Sequence, residues 1–344
     1  MTIILPIAAE AGRLDHIWPA LLKLVFNAFL CISDFHKRVS VIFCDTGVEN
    51  PIIKKHVYTV FENLEIESKK YSFPFQFHIV VPDLDDRFFV KVIGRGYPTP
   101  TNIFRWCTDK LRIKPVNTII NGNAHANILL GIRSGESEQR NRTISRHITN
   151  NQYFLKQGKS SSKMIFSPIL NHTLEDVWGT LRNLEQPQGL NYETIRNIYQ
   201  DAESECLAFR ENRGSPCGKS RFGCWVCTVV RSDKSISNMI DNGYSELNEL
   251  LKFRNWIAEF RDNPLYRCDT RRNGMSGPGP FTMAGRKIIL QKLLEVEKQT
   301  DLVLISEIEL KRIKELWEVD LNNDKYSEKT ALNLNKSHSA VSDI

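Results

Sequence analysis

The β-branched run from Val39 to Cys44 stops at Asp45-Thr46-Gly47, and Asn50-Pro51 follows almost at once. The run reads as a strand and the Asp-Thr-Gly as the turn that ends it. Asn50 can accept a hydrogen bond from free helix amides, and Pro51 suits the first helical position, where its missing N–H costs nothing. Ile53, Val57, Val60, Phe61 and Leu64 then recur on one helical face. A strand leading straight into an amphipathic helix is the unit of a parallel α/β sheet.

The rest of the first half repeats that alternation. Thr2 to Ala8 reads as a strand and about Asp15 to Phe29 as a helix with Pro19 in its early turns. Phe75 to Val81 and Asn127 to Gly131 are further strands. The expected fold is a doubly wound parallel sheet over residues 1–165. A mostly helical region, 166–320, follows. Thr173 with Asp176 forms a capping-box pattern ahead of Val177, Trp178 and Leu181. Helices are expected from about Thr282, with Ile289, Leu290, Leu293 and Leu294 on one side, and from near Ser306, burying Leu310, Ile313 and Trp317. A Gly/Pro-rich loop, Asn273 to Pro280, precedes them, and the polar tail 321–344 lacks periodicity and is expected to be disordered.

With 344 residues, 41% of them hydrophobic, the chain has material for about two domains. The apolar stretch Leu21 to Ile32 is too short to cross a membrane and is broken by Lys23 and Asn27. Met1 to Ala9 has no basic region before its apolar run, as a signal peptide requires. A cytoplasmic protein is expected, with eight cysteines in a reducing compartment. The net charge of +6 is compatible with an anionic partner but is too small to establish one.

Cys217, Cys224 and Cys227 form a C-x6-C-x2-C run, CGKSRFGCWVC. A C-x2-C pair offers two thiolates to one metal from a tight loop, and thiolates suit zinc and iron–sulfur clusters alike. Lys219 and Arg221 would offset the charge of several thiolates. The fourth ligand is Cys107, in Arg105 to Lys110, or Cys206, which is also a candidate relay thiol for sulfur. Cys31 and Cys44 fall in apolar helix and strand patterns, so burial is expected for both. Cys268 has no assigned role.

Several segments together resemble one family. CGKSRFGCWVCTVV with Asp233-Lys234-Ser235, and Ser276-Gly277-Pro278-Gly279-Pro280-Phe281-Thr282 ahead of Arg286 and Lys287, are similar to the DNA phosphorothioation sulfurtransferases of the DndC type. Marks of the wider superfamily of phosphoadenosine phosphosulfate reductases and ATP pyrophosphatases are Asp45-Thr46-Gly47, Glu49-Asn50-Pro51, Arg105 to Lys110, Gly131-Ile132-Arg133 with Glu136 and Arg140, and Ser167 to Leu170 through Trp178. The resemblance implies a [4Fe-4S] cluster on Cys107, Cys217, Cys224 and Cys227. It implies ATP with Mg2+, used to activate a DNA phosphate, near Asp45, Thr46, Gly131, Arg133, Glu136 and Arg140. A cysteine desulfurase supplying sulfur, other phosphorothioation subunits and DNA are the implied partners, with no membrane.

One family element is missing. Where an SGGKDS phosphate loop would join the first strand and helix, the chain reads Ala9-Glu10-Ala11-Gly12-Arg13-Leu14-Asp15. A dead site, an altered or wrongly started N-terminus, or substitution by Arg13 would each account for it. Two alternatives to the sulfurtransferase therefore stand. One is a phosphoadenosine phosphosulfate reductase-like enzyme on a small sulfonucleotide. The other is a catalytically silent cluster-bearing subunit that binds DNA or scaffolds a complex.

Six basic residues lie between Arg210 and Lys234, and Arg254, Trp256, Arg261, Tyr266, Arg267, Arg271 and Arg272 interleave cations with aromatics. That pattern suits phosphate contact and base stacking, and equally an ordinary helix surface.

Overall fold

The computed structural model describes residues 2–7, 17–32, 37–123, 126–136, 138–156, 164–203 and 222–322. The segment Ala9 to Asp15, Cys206, Cys217 and the tail beyond 322 lie outside the described residues.

Strands β1 (Thr2–Ile7), β2 (Arg38–Cys44), β3 (Phe75–Val80), β4 (Asn127–Leu129), β5 (Phe154–Lys156) and β6 (Met164–Phe166) form one sheet in the order β3-β2-β1-β4-β6-β5. All neighbours are parallel except the short β5–β6 pair. The antiparallel edge strand was not legible beforehand, because β5 and β6 are three residues each. Along β2 successive side chains alternate between two apolar clusters. Val39, Val41 and Phe43 pack on one face with α1 (Ile17–Leu30) and α2 (Pro51–Lys70). Ile42 and Cys44 pack on the other with Val116 and Ile120 of a helix at Lys114–Asn121. A central strand covered on both sides explains why so few polar residues interrupt it.

Helix starts follow local chemistry. Asn50 caps α2, its side chain accepting from Ile52 N at 3.0 Å, and Ile53, Val57, Val60, Phe61 and Leu64 are buried. Thr173 and Asp176 exchange hydrogen bonds at the start of the helix Leu174–Asn183, and Val177 and Leu181 are buried. Thr282 caps the helix Met283–Thr300. Ser306 N donates to Glu309 Oε2 at 3.1 Å before the helix Glu307–Asn322. The larger apolar cluster is continuous from Leu5 to Leu316, so the helical second half packs on the same core as the sheet.

Cys44 is fully buried, but Cys31 is exposed. Helix α1 ends at Leu30, so Cys31 falls in the turn beyond its apolar stripe and the expected burial is overturned. Among the described residues no helix is long and apolar enough to cross a membrane.

Candidate functional site

The strand order runs outward from β1 to β2 and β3 on one side and to β4 on the other. The switch point of this sheet therefore lies between the carboxyl ends of β1 and β4, where open α/β sheets bind ligands. Gly131 follows β4 there, and a Cβ on it would meet Ile17 Cγ2 at 2.6 Å, so glycine lets α1 start against the strand end. Ser167, fully buried, donates to Leu130 O and Ile132 O and shapes the same loop. Arg133 donates to His172 O at 3.2 Å, while its Nε is buried with no partner in the protein. Arg140 is ion-paired with Glu136 on the adjoining turn. Asp45, 5% exposed, receives Gly47 N, Tyr58 Oη and Lys54 Nζ, each within 2.9 Å. That carboxylate fixes the turn after β2 through internal partners.

The neighbouring residue faces the other way, toward sulfur. Thr46 Oγ1 donates to Glu49 Oε1 at 2.9 Å and lies 3.8 Å from Cys224 Sγ. The cysteine loop reaches this turn by a short pairing: Trp225 N donates to Val48 O at 2.9 Å, with Glu49 and Cys224 bridged antiparallel. Apolar anchors hold the loop down. Phe222 packs edge-on against Tyr199, and Trp225 against Phe253 and Phe89. Cys227 N donates to Cys224 O, closing the turn that presents both thiols.

Cys107 arrives from a different element. It sits in the short helix Trp106–Thr108, which continues as a π-helical turn, Asp109–Ile113, into the helix Lys114–Asn121. Buried Trp106 fixes the start, stacking on Phe88 and donating to Pro98 O at 3.0 Å. The π turn carries Arg112 inward. Its guanidinium, 5% exposed, reaches Glu49 at 3.2 Å and Cys224 Sγ at 3.6 Å. Leu111 O in the same turn accepts from Cys44 Sγ at 3.0 Å.

The charge of Cys227 opposes ionisation of both Cys107 and Cys224. Burial pushes the Cys224 thiol up to about 12, Glu49 adds to the rise, and Arg112 works against it. Burial likewise raises Cys107 and takes Cys44 to about 12, with Arg112 opposing. Among the described residues no group of three or more His, Cys, Asp or Glu is gathered as a metal site. Cys107, Cys224 and Cys227 are donors of the type a thiophilic group takes, and such a group would displace their protons on binding. Cys206 and Cys217 lie outside the described residues. Sequence reasoning missed Arg112; its signal was a charge between Leu111 and Ile113, five positions after Cys107.

Two other motifs prove structural. In the Gly-Pro-Gly-Pro-Phe-Thr segment, a Cβ on Gly279 would meet Thr270 O at 2.0 Å, and buried Phe281 donates its N–H to Gly96 O. Arg254 and Arg267, expected as candidate phosphate contacts, are 1% and 8% exposed. Arg254 donates to the carbonyls of Cys227, Val230 and Arg231, and Arg267 to those of Gly279 and Arg261. Those two guanidiniums are spent inside the fold. Arg271 and Arg272 remain exposed, the latter over the Tyr97 ring at 4.6 Å.

An uncharacterized protein of Methanocaldococcus jannaschii is 24% identical over 235 residues, which are 68% of this chain and 39% of that protein. The chain thus spans about two fifths of that relative's length. Residues 20–230, more than half of the chain, match the phosphoadenosine phosphosulfate reductase domain. That match takes in β2 with its Asp-Thr-Gly turn, the helix of Cys107, the switch-point loop and the loop of Cys224 and Cys227, and the chain belongs to the phosphoadenosine phosphosulfate reductase domain family.

Proposed function

We propose that this chain is a nucleotide-using sulfurtransferase subunit of DNA phosphorothioation, with an iron–sulfur cluster on Cys107, Cys217, Cys224 and Cys227. The observation that carries the reading is the contact of Thr46 with Cys224. The turn after β2, at the carboxyl edge of the sheet, reaches the cysteine loop through Thr46, which also holds Glu49. A fold that only stored a cluster would not need the thiols at the edge where ligands of α/β sheets bind.

Within this reading Arg133, whose buried Nε has no hydrogen-bond partner in the protein, binds an oxygen of the nucleotide phosphates. The Glu136–Arg140 pair borders that crevice. When bound, the cluster supplies a sulfur-rich centre whose electronics the surrounding hydrogen bonds tune. Cys206 is the candidate relay thiol, a cysteine desulfurase the sulfur donor, ATP with Mg2+ the activating substrate, and DNA with the other phosphorothioation subunits the remaining partners. Arg271 and Arg272 are exposed, and in this reading they meet DNA phosphates.

The test combines metal content with turnover. Anaerobically purified protein should contain iron and acid-labile sulfide, and replacing Cys107, Cys224 or Cys227 by alanine should remove them, whereas Cys31→Ala should not. ATP, a sulfur donor and DNA should then yield pyrophosphate and a sulfur-for-oxygen mass increase in digested DNA. Iron without either product would reject the sulfurtransferase in favour of a silent subunit. The domain match favours one further reading, an enzyme acting on a small sulfonucleotide, and sulfite release from phosphoadenosine phosphosulfate with a dithiol supplied as the two-electron reductant would establish it instead.

A further inference from the structure

We propose that the loop 98–105 is a duplex-DNA contact in which Ile103 enters a base step while Arg105 and Arg231 hold the phosphates beside it. The inference rests on the DNA-modifying reading above for its partner, and it concerns residues that reading leaves without a role.

The loop presents one side chain from a fixed base. Pro98 and Pro100 restrict its backbone. Three side chains tie its carbonyls to the rest of the fold. Trp106 Nε1 donates to Pro98 O at 3.0 Å, and Thr228 Oγ1 and Arg261 Nη1 donate to Pro100 O at 2.8 and 3.1 Å. Thr101 and Phe104 exchange backbone hydrogen bonds, and Thr101 Oγ1 accepts from Phe104 N at 3.1 Å. Ile103 lies within that closed turn, 98% exposed, with Phe104 43% exposed beside it. A loop held this way has already lost much of the freedom that docking would cost.

Exposure alone says little, since single apolar residues are common on protein surfaces. Val303 is 85% exposed too, in a segment with Asp301 before it and Glu307 after it. The setting of Ile103 is the reverse. No Asp or Glu occurs from Arg87 to Thr108, nor from Phe222 to Ser232 in the segment that Thr228 joins to the loop. Arg105 and Arg231 are exposed, and neither pairs with an acidic group among the described residues. Arg105 Nη2 donates to Asn102 Oδ1 at 3.2 Å, which keeps that cation beside the turn. An apolar tip rimmed by cations fits a partner whose anionic surface covers an apolar interior. Duplex DNA and an anionic membrane are both of that kind. One side chain on a fixed turn suits DNA, where a single apolar wedge parts a base step. Surface binding to a membrane draws on a whole apolar face, which a turn containing Thr101 and Asn102 lacks.

The test titrates the full chain against a short duplex carrying 2-aminopurine at a flexible TA step, over a salt series, and against phosphatidylglycerol vesicles. Wild type should bind the duplex and raise the 2-aminopurine fluorescence as the step opens. Ile103→Ser should lose that rise and bind about 10- to 100-fold more weakly with an unchanged salt dependence. Ile103→Leu should keep both properties, and Val303→Ser should match wild type. Arg105→Gln should instead make the logarithmic salt slope shallower by about one. Circular dichroism checks each fold, which a change at a side chain 98% exposed leaves intact. Equal duplex affinity or an equal fluorescence rise in Ile103→Ser overturns the wedge and leaves the sulfurtransferase reading to its own turnover test. Ile103-dependent binding to vesicles without binding to the duplex overturns it in favour of a membrane. A wild type that binds neither overturns the inference as well, whereas pyrophosphate release and sulfur incorporation still decide the sulfurtransferase reading separately.

Discussion

Lys23 sends its ammonium group into the end of another helix, donating to Leu181 O at 2.9 Å and Leu184 O at 2.5 Å. A lysine 3% exposed inside an apolar helix looks misplaced until the free carbonyls at the end of Leu174–Asn183 are considered. A cation at a helix C-terminus satisfies them and complements the helix dipole. Asn27, one turn further along α1, does the same for Gln186 O at 2.7 Å. Lys23→Met should keep the packing but strand both carbonyls, lowering stability by about 1–3 kcal/mol. Urea denaturation of the two proteins measures this, and an unchanged midpoint would mean that the carbonyls find other donors.

His56 gives the fold a dependence on mildly acid pH. Its ring lies against Trp18, and burial lowers its pKa from the ordinary 6.5. Above 6.5 the imidazole is neutral in both folded and unfolded chains, and its contribution is intact. Below that value the unfolded chain takes up a proton that the folded chain refuses, so stability falls as pH drops from 6.5 toward the depressed folded value, then levels off. His56→Phe should flatten this part of the stability–pH curve without changing its form above neutrality. Thermal midpoints between pH 5 and 8 provide the comparison, and parallel curves would show that His56 does not titrate differently on folding.

Gly131 and Ile17 should behave as a coupled pair. Gly131→Ala places a methyl group 2.6 Å from Ile17 Cγ2, an overpacking that costs about 1–3 kcal/mol where α1 meets the end of β4. Ile17→Ala alone opens a cavity at a residue 4% exposed. Combined, the new methyl occupies part of that space, and the double variant should be more stable than the sum of the singles by about 0.5–3 kcal/mol. A double-mutant cycle reads the coupling directly. Strict additivity would mean that α1 shifts bodily instead.

Much of this architecture was legible because it rests on local rules. Asn50 with Pro51, Thr173 with Asp176, and Thr282 each announce a helix start within a few residues, and the apolar faces behind them are the buried ones. The pairing of Thr46 and Glu49 with Cys224 was not legible, because no periodicity connects segments so far apart in the chain. Arg112 was hidden for a related reason. Its inward direction comes from a π turn, which displaces a side chain from the face that ordinary helical spacing assigns to it. The basic and aromatic stretch after Arg254 misled in the opposite sense, since composition cannot distinguish a guanidinium offered to phosphate from one consumed by backbone carbonyls.

Arg254 allows that distinction to be tested. Its Nε donates to Cys227 O and its Nη1 to Arg231 O, both at 2.8 Å, and Nη2 reaches Val230 O. The chain leaving the cysteine turn is therefore wrapped around one planar cation, itself buried on the helix Asn248–Phe260. Lysine keeps the charge but cannot serve three carbonyls lying in different directions. Each carbonyl left without a donor costs about 1–3 kcal/mol, so Arg254→Lys should be destabilised nearly as much as Arg254→Met, and both by more than about 3 kcal/mol. Amide exchange should accelerate across residues 227–231 before the rest of the fold responds. If Arg254 instead served DNA, lysine would largely rescue it, stability would hardly move, and the loss would appear as a shallower dependence of DNA affinity on salt. Comparing the three proteins by denaturation, exchange and salt-dependent binding decides between a clamp on the cysteine loop and a phosphate contact.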